Sequence, residues 1–272
     1  MTDKQQQMDT IVKLRNLSFQ RGKRTVLDDI SMDVQRGQVV ALMGPSGVGK
    51  STILKLITGQ ITPPQGTVEV DGDCISQMTV NNLKRFRRKV GVLLQNGALF
   101  TDLTCFENVA LPLREHTQLN DSLIRRVVLG KLHAVGLRGA AELMPRHLSG
   151  GMARRVALAR AIALDPALVL YDEPLSGLDP ISQASIMRLI RSLNTALGLT
   201  SIIVTHSVDE MHELADYAYL IIGGRIAAHG TPEQLAAHES PLVQQFIKGQ
   251  PDGPVPFHFP AASLADDLLA MP

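Results

Sequence analysis

Gly44-Pro45-Ser46-Gly47-Val48-Gly49-Lys50-Ser51-Thr52 follows directly on five apolar residues, Val39–Met43. Gly44, Gly47 and Gly49 let successive backbone N–H groups turn inward, and such a nest of N–H groups binds phosphate oxygens. Lys50 supplies a point charge able to bridge the β- and γ-phosphates of a nucleoside triphosphate, and the Ser51 hydroxyl can ligate Mg2+. Pro45, Ser46 and Val48 fill the loop. Thr52 lies in the helix whose positive N-terminal dipole faces the same anion. GxxxxGK[ST] between an apolar strand and a helix is a specific signal for phosphate binding.

A second segment, LVLYDE at Leu168–Glu173, leads four apolar residues into adjacent carboxylates. Asp172 at the end of such a strand can hold Mg2+ through water, and Glu173 can polarise an attacking water. In Ser149-Gly150-Gly151, Ser149 reads as a helix N-cap, and the glycines behind it expose N–H groups suited to a γ-phosphate. Gln95 closes the apolar segment Val90–Leu94. It is either a surface amide or a group that reaches Mg2+ and the attacking water. His206 follows Ile202–Thr205, as a structural strand-end histidine or as a γ-phosphate sensor. Asp179, in SGLDP at Ser176–Pro180, either caps the next helix or touches a second subunit.

These residues need a sheet to hold them. Val39–Met43, Leu168–Tyr171 and Ser201–Thr205 read as buried strands, with Ile181–Leu197 as the crossover helix between the last two. Ser51–Gly59 is the helix after the glycine loop, and Ser149 opens another through Ala163. Strands alternating with helices predict an α/β fold with a mainly parallel sheet. Ile11–Leu17 alternates as a strand, with a turn at Arg21–Lys23, and Gly66–Gly72 reads as a short strand and turn. From Leu99 to Arg146 the texture is helical, with Asn108–Leu113, Leu123–Val135 and Leu137–Met144 broken by Pro112, Gly136 and Pro145. Pro232–His238 and Pro241–Gly249 follow as short helices, and PDGPVPFHFP is too rich in proline for one.

The 27 Lys and Arg against 26 Asp and Glu leave a net charge of +1, which argues against a broad nucleic-acid or anionic-lipid surface. KRFRRK at Lys84–Lys89 reads as a solvated helix face, and Arg154–Arg155 is a smaller basic pair. Cys74 and Cys105 have no metal-ligand spacing and fit a reducing compartment. No apolar run approaches the ~20 residues that span a bilayer, so any service to a membrane runs through partners.

With these motifs in their order, the chain resembles the nucleotide-binding subunit of an ABC transporter over roughly Ile11–Pro232. By that resemblance Gly44–Thr52 matches the Walker A loop, Gln95 the Q-loop and Leu148–Met152 the signature. Leu168–Glu173 matches Walker B, Leu178-Asp179 the D-loop and His206 the switch histidine, while Phe19 is the residue placed to stack on adenine. The resemblance implies a P-loop NTPase (RecA-like) core with an antiparallel β subdomain and a helical subdomain at about residues 99–160. An ATP-binding domain then covers residues 10–250, and residues 251–272 form a C-terminal extension. It also implies ATP and Mg2+ as ligands and a head-to-tail homodimer, in which Ser149, Gly150, Gly151 and Asp179 face the ATP of the other subunit. Ser51, Gln95 and Asp172 are the implied metal ligands, and Glu173, His206 and Lys50 the catalytic groups.

Met152 stands where the family usually has glutamine. With LSGGMARRVALARAIAL, NGALFTDLTCFENVALPLREH (Asn96–His116), VGLRGAA (Val135–Ala141) and DGPVPF (Asp252–Phe257), it resembles the ATPases of Mla/MCE-type phospholipid transporters. That implies a multispan permease (MlaE-like), a STAS-domain protein (MlaB-like) and a periplasmic MCE-domain protein (MlaD-like). The place would be the cytoplasmic face of a bacterial inner membrane, with membrane contact only through partners. The same cassette serves transporters of other cargo and non-transport ATPases, but this chain lacks the second cassette, coiled coil or zinc insertion those non-transport relatives carry. Phe257, Phe259, Leu264, Leu268 and Leu269 are unusually apolar for a tail. They predict that roughly Pro251–Leu269 docks on a neighbouring surface, that of the second ATPase subunit.

Overall fold

Val39–Met43 is apolar at every position because both faces of the strand it forms are covered. A computed structural model describes residues 10–255, 263 and 265 of the chain. β3 (Val39–Met43) lies between β8 (Thr200–Val204) and β9 (Tyr217–Ile222), with β7 (Leu168–Asp172) and β6 (Val90–Leu93) beyond β8 and β10 (Arg225–Gly230) beyond β9. In this six-stranded sheet every pair is parallel except β9 with β10. Side chains alternate between two cores with the period of two that a pleated strand imposes. Leu168 and Leu170 enter one core, Val169 and Tyr171 the other; Ile202 and Val204 oppose Ile203 in the same way. Each such fully buried side chain contributes about 1.5–3 kcal/mol, so a charge at Leu170 would break the layer.

One core is shared with a four-stranded antiparallel sheet made of β1 (Thr10–Arg21), β2 (Arg24–Gln35), β4 (Gln65–Val70) and β5 (Asp73–Cys74) in the order β2-β1-β4-β5. Leu14, Leu17, Leu27 and Ile30 from that sheet, with Ile53 and Ile57 of α1 (Lys50–Ile57), bury against Val40 and Leu42 of β3. The glycine loop is therefore held between two sheets. A short α2 (Val80–Phe86) follows, anchored by the buried Phe86 ring.

The opposite core receives α3 (Cys105–His116), α4 (Asp121–Ala134), α5 (Gly150–Ala161) and α6 (Pro180–Leu197). Thr104, Asn120, Ser149 and Asp179 cap them, each accepting a backbone N–H from its own helix, which stabilises a helix by about 1 kcal/mol. α7 (Val208–Leu214), α8 (Pro232–Ala236) and α9 (Pro241–Ile247) close the far side of β9 and β10. No helix among the described residues is long and apolar enough to cross a membrane.

The structure departs from the sequence expectations in three places. Pro112 does not interrupt its helix: α3 runs through it to His116. A proline removes a single N–H, while Val109, Ala110 and Leu113 of the same helix are buried in the core. Leu137–Met144 is not an α-helix but contains one 3-10 turn, Arg138–Ala140. The carbonyls of Ala141 and Leu143 instead accept the free N–H groups of Phe106 and Cys105 at the start of α3, both at 2.8 Å. The run Lys84–Lys89 is only partly a solvated helix face, since Arg87 donates to the carbonyls of Thr58 (3.1 Å) and Gly59 (2.9 Å). At the other end Gln245 exchanges two hydrogen bonds with the backbone of Val255, at 2.9 and 2.8 Å. The apolar tail residues Phe257, Phe259, Leu264, Leu268 and Leu269, on which the expected docking of Pro251–Leu269 rests, lie outside the described residues.

Candidate functional site

Parallel strands in register deliver their C-terminal ends to one edge of the sheet, where open α/β sheets bind ligands. β3 runs into the glycine loop, β6 into Gln95, β7 into Asp172-Glu173 and β8 into Thr205-His206. At Gly44, φ is 140° and an added Cβ would lie 2.1 Å from the Ile221 carbonyl oxygen, so only glycine fits where the loop leaves the sheet. Gly49 precedes α1 and no side chain caps that helix, which leaves its first N–H groups free for an anion. Lys50 is 5% exposed and donates to the carbonyls of Gly44 (2.6 Å) and Pro45 (2.9 Å). Burial pulls its pKa down, and the charges of Glu173 and Asp172 work against that shift.

Across the loop, the Ser51 hydroxyl donates to Asp172 Oδ1 at 3.1 Å. Burial pushes the Asp172 carboxyl up from its ordinary value, opposed by that hydrogen bond and reinforced by the neighbouring Glu173. Glu173 itself leaves β7 with φ at 46°, a left-handed turn that costs a non-glycine residue about 1–3 kcal/mol unless its surroundings hold it. Its N–H donates to the Val204 carbonyl at 3.0 Å, continuing the β7–β8 ladder, and Pro174 keeps it out of a right-handed helix. The turn brings its carboxylate between two partners. Gln95 Nε2 donates to Glu173 Oε2 at 3.0 Å, and His206 Nδ1 stands 3.7 Å from Glu173 Oε1.

A cleft of about 350 Å³ opens beside these groups, lined by Phe19, Val26, Arg21 and Arg24 on the antiparallel sheet and by Ser46, Gly47, Gly49–Thr52 and Glu173. An apolar wall with two arginines faces the phosphate-binding loop, a shape and charge suited to a base, a sugar and phosphates. Phe19, the glycine loop, Asp172, Glu173, Gln95 and His206 are thus one cluster.

Ser149, Gly150, Gly151 and Asp179 do not line this cleft. Ser149 Oγ accepts from the Met152 N–H at 3.2 Å, capping α5. Behind it, a Cβ on Gly151 would sit 2.7 Å from Ser182 Oγ on α6, so this glycine permits close packing of the two helices. Asp179 Oδ1 accepts the N–H groups of Ile181 (3.1 Å) and Ser182 (3.0 Å), which is the helix-cap alternative. Its bond to Ser182 holds the carboxyl below the usual range.

Several contacts around the site were not foreseen from the sequence. Arg154 and Arg160 of α5 reach across to the Gln95 turn: Arg154 donates to the carbonyls of Leu94 (3.1 Å), Gln95 and Ser176 (3.2 Å), Arg160 to those of Gly97 and Ala98 (both 2.8 Å). The buried Asn108 fastens the next loop, donating to Phe100, Leu103 and Thr104 carbonyls and accepting from the Phe100 N–H. Thr205 Oγ1 donates to Glu210 at 2.6 Å and accepts from the Ser207 N–H at 3.0 Å, fixing the turn that carries His206. Burial pushes Glu210 up, opposed by the Thr205 bond and by His206. Backbone carbonyls carry no residue signature, so for the arginine bonds only the long basic side chains inside an apolar helix could have given a signal.

Residues 27–176 match the family model described as ABC transporter. The chain is 53% identical over 95% of its length to an intermembrane phospholipid transport system ATP-binding protein, MlaF, of Haemophilus influenzae, covering 98% of that protein. It is 51% identical over 97% of its length to the protein of the same name from Escherichia coli K12, again covering 98% of it. Among solved structures it is similar to a dimeric ATP-binding cassette in a post-hydrolysis state bound to ADP and Pi, with a TM-score of 0.75 and 31% identity over 82% of this chain and 99% of that one. With the strand–loop–helix at Gly44–Ile57 and the paired carboxylates beside it, these likenesses establish that the chain belongs to the ABC transporter family, as an ATPase subunit.

Proposed function

We propose that this chain hydrolyses ATP to drive a transporter that moves phospholipids between inner and outer membranes and so maintains lipid asymmetry. The observation that carries the cargo is the near full-length similarity, at 53% and 51% identity, to proteins named for intermembrane phospholipid transport. Phe19 stacks on adenine. The N–H groups of the glycine loop and α1 hold the phosphates, and Lys50 exchanges the carbonyls of Gly44 and Pro45 for the β- and γ-oxygens. Glu173 polarises the attacking water, oriented by Gln95, and His206 contacts the γ-phosphate. Catalysis on this scheme is positioning and electrostatics.

The Ser51 hydroxyl and the Asp172 carboxylate, 3.1 Å apart, are oxygen donors of the kind Mg2+ takes, and with the Gln95 amide they would hold the ion. Bound there, Mg2+ supplies charge to offset that developing on the transferred phosphoryl group.

Two copies act together. Ser149, Gly150, Gly151 and Asp179 of one copy complete the cleft of the other, a reading supported by their not lining the cleft of their own chain and by the dimeric cassette it resembles. The domain division given above, the multispan permease, the STAS-domain and periplasmic MCE-domain partners and the seat on the cytoplasmic face of the inner membrane belong to the same proposal. Purification of the tagged full chain from membranes tests it. An MCE-domain protein and phospholipid should co-purify; ribosomes or DNA in their place would contradict it.

A further inference from the structure

Arg154 is 8% exposed, yet it carries a charge that does not leave it in a protein. Burial works against that charge. The compensation comes from backbone: its guanidinium donates to the carbonyls of Leu94 and Gln95, at the end of β6, and of Ser176, three residues beyond Glu173. Those acceptors belong to two separate loops, and the donor stands on the first turns of α5, close behind Ser149–Gly151. A planar guanidinium can hold acceptors in two directions at once, which an ammonium does poorly.

We propose that Arg154 is a positioning residue that locks the Gln95 turn, the loop after Glu173 and the Ser149–Gly151 end of α5 into one body. Through it, the side chain that orients water in a copy's own cleft moves together with the segment that the same copy presents to its partner's ATP. This rests on the two-copy reading above. Arg154 does not line the cleft, so its loss leaves ATP affinity alone and affects the closed pair.

The test uses the full chain with Arg154→Met, which keeps an unbranched apolar stem and removes every donor, and Arg154→Lys, which keeps the charge. For Arg154→Met, ATP affinity by titration stays within about twofold of the unaltered chain. Its kcat falls about tenfold or more, and ATP-dependent dimerisation in a Glu173→Gln background weakens. Arg154→Lys recovers part of kcat. If Arg154→Met does not fold, Arg154→Lys alone decides, with reduced kcat at unchanged affinity expected. Normal kcat with only a lowered Tm, or kcat and ATP affinity lost in parallel, would overturn the proposal. If Glu173→Gln with Arg154 intact fails to dimerise with ATP, the two-copy reading fails instead.

Discussion

Two glycine-rich turns open helices in this chain, and they differ in what each leaves unsatisfied. At Gly49 no side chain caps α1, a lysine is buried with its ammonium on loop carbonyls, and a cleft opens in front. At Ser149 the helix caps itself, with Oγ accepting from Met152, and its glycines pack toward Leu178 and Ser182 of the neighbouring α6 region. The first end is shaped for a ligand and carries a desolvated charge until it finds one. The second is satisfied within its own chain. Accepting from Met152 leaves the Ser149 hydroxyl proton free to be donated elsewhere, which suits a group offered to another molecule's phosphate. On the proposed function, the first end holds the phosphates and the second completes the site of a partner copy.

Substitutions can break or sharpen that contrast. The largest effect is expected for Glu173→Gln, which removes the group poised between Gln95 and His206. Turnover should fall about 10²–10⁴-fold while ATP stays bound, and size-exclusion chromatography with ATP should show a persistent dimer. Lys50→Ala should instead weaken ATP binding itself by about 1.5–3 kcal/mol, the worth of a charged hydrogen bond, as read by titration calorimetry. Gly151→Ala drives a Cβ to 2.7 Å from Ser182 Oγ. It should cost about 1–3 kcal/mol of stability and depress turnover, with ATP affinity of the isolated chain unchanged. Ser149→Ala is the mildest for the fold, about 1 kcal/mol for a lost cap, seen as a small drop in Tm and again no loss of ATP affinity. Should Gly151→Ala or Ser149→Ala weaken ATP binding by a single copy, the contrast between the two helix ends would collapse.

The local structure of the Gly44–Thr52 and Asp172–Glu173 half of the candidate site was legible because its signals are local. A continuous apolar run, glycines where the backbone must approach an anion and two adjacent carboxylates are features of consecutive residues. Ser149 and Asp179 were legible as caps for the same reason. What stayed hidden is held by contacts between distant residues. Arg154 meets Gln95 across 59 positions and Arg160 meets Gly97 across 63, and in both cases the acceptor is a carbonyl that any residue provides. Pro112 misled because a proline's local cost is outweighed by the burial of Val109, Ala110 and Leu113 around it. Leu137–Met144 misled because its carbonyls serve the start of α3.

The claim that one copy's Ser149–Gly151 completes another copy's cleft is tested most directly by mixing two disabled chains. Lys50→Ala spoils the cleft and spares the signature segment; Ser149→Arg spares the cleft and blocks the segment. Each chain alone has no complete site. Co-expressed in equal amounts, they should regain up to about a quarter of the unaltered ATPase rate, because half of the pairs are mixed and each mixed pair holds one intact composite site. A mixture as inactive as its components, or a Ser149→Arg chain that hydrolyses ATP normally by itself, would contradict it.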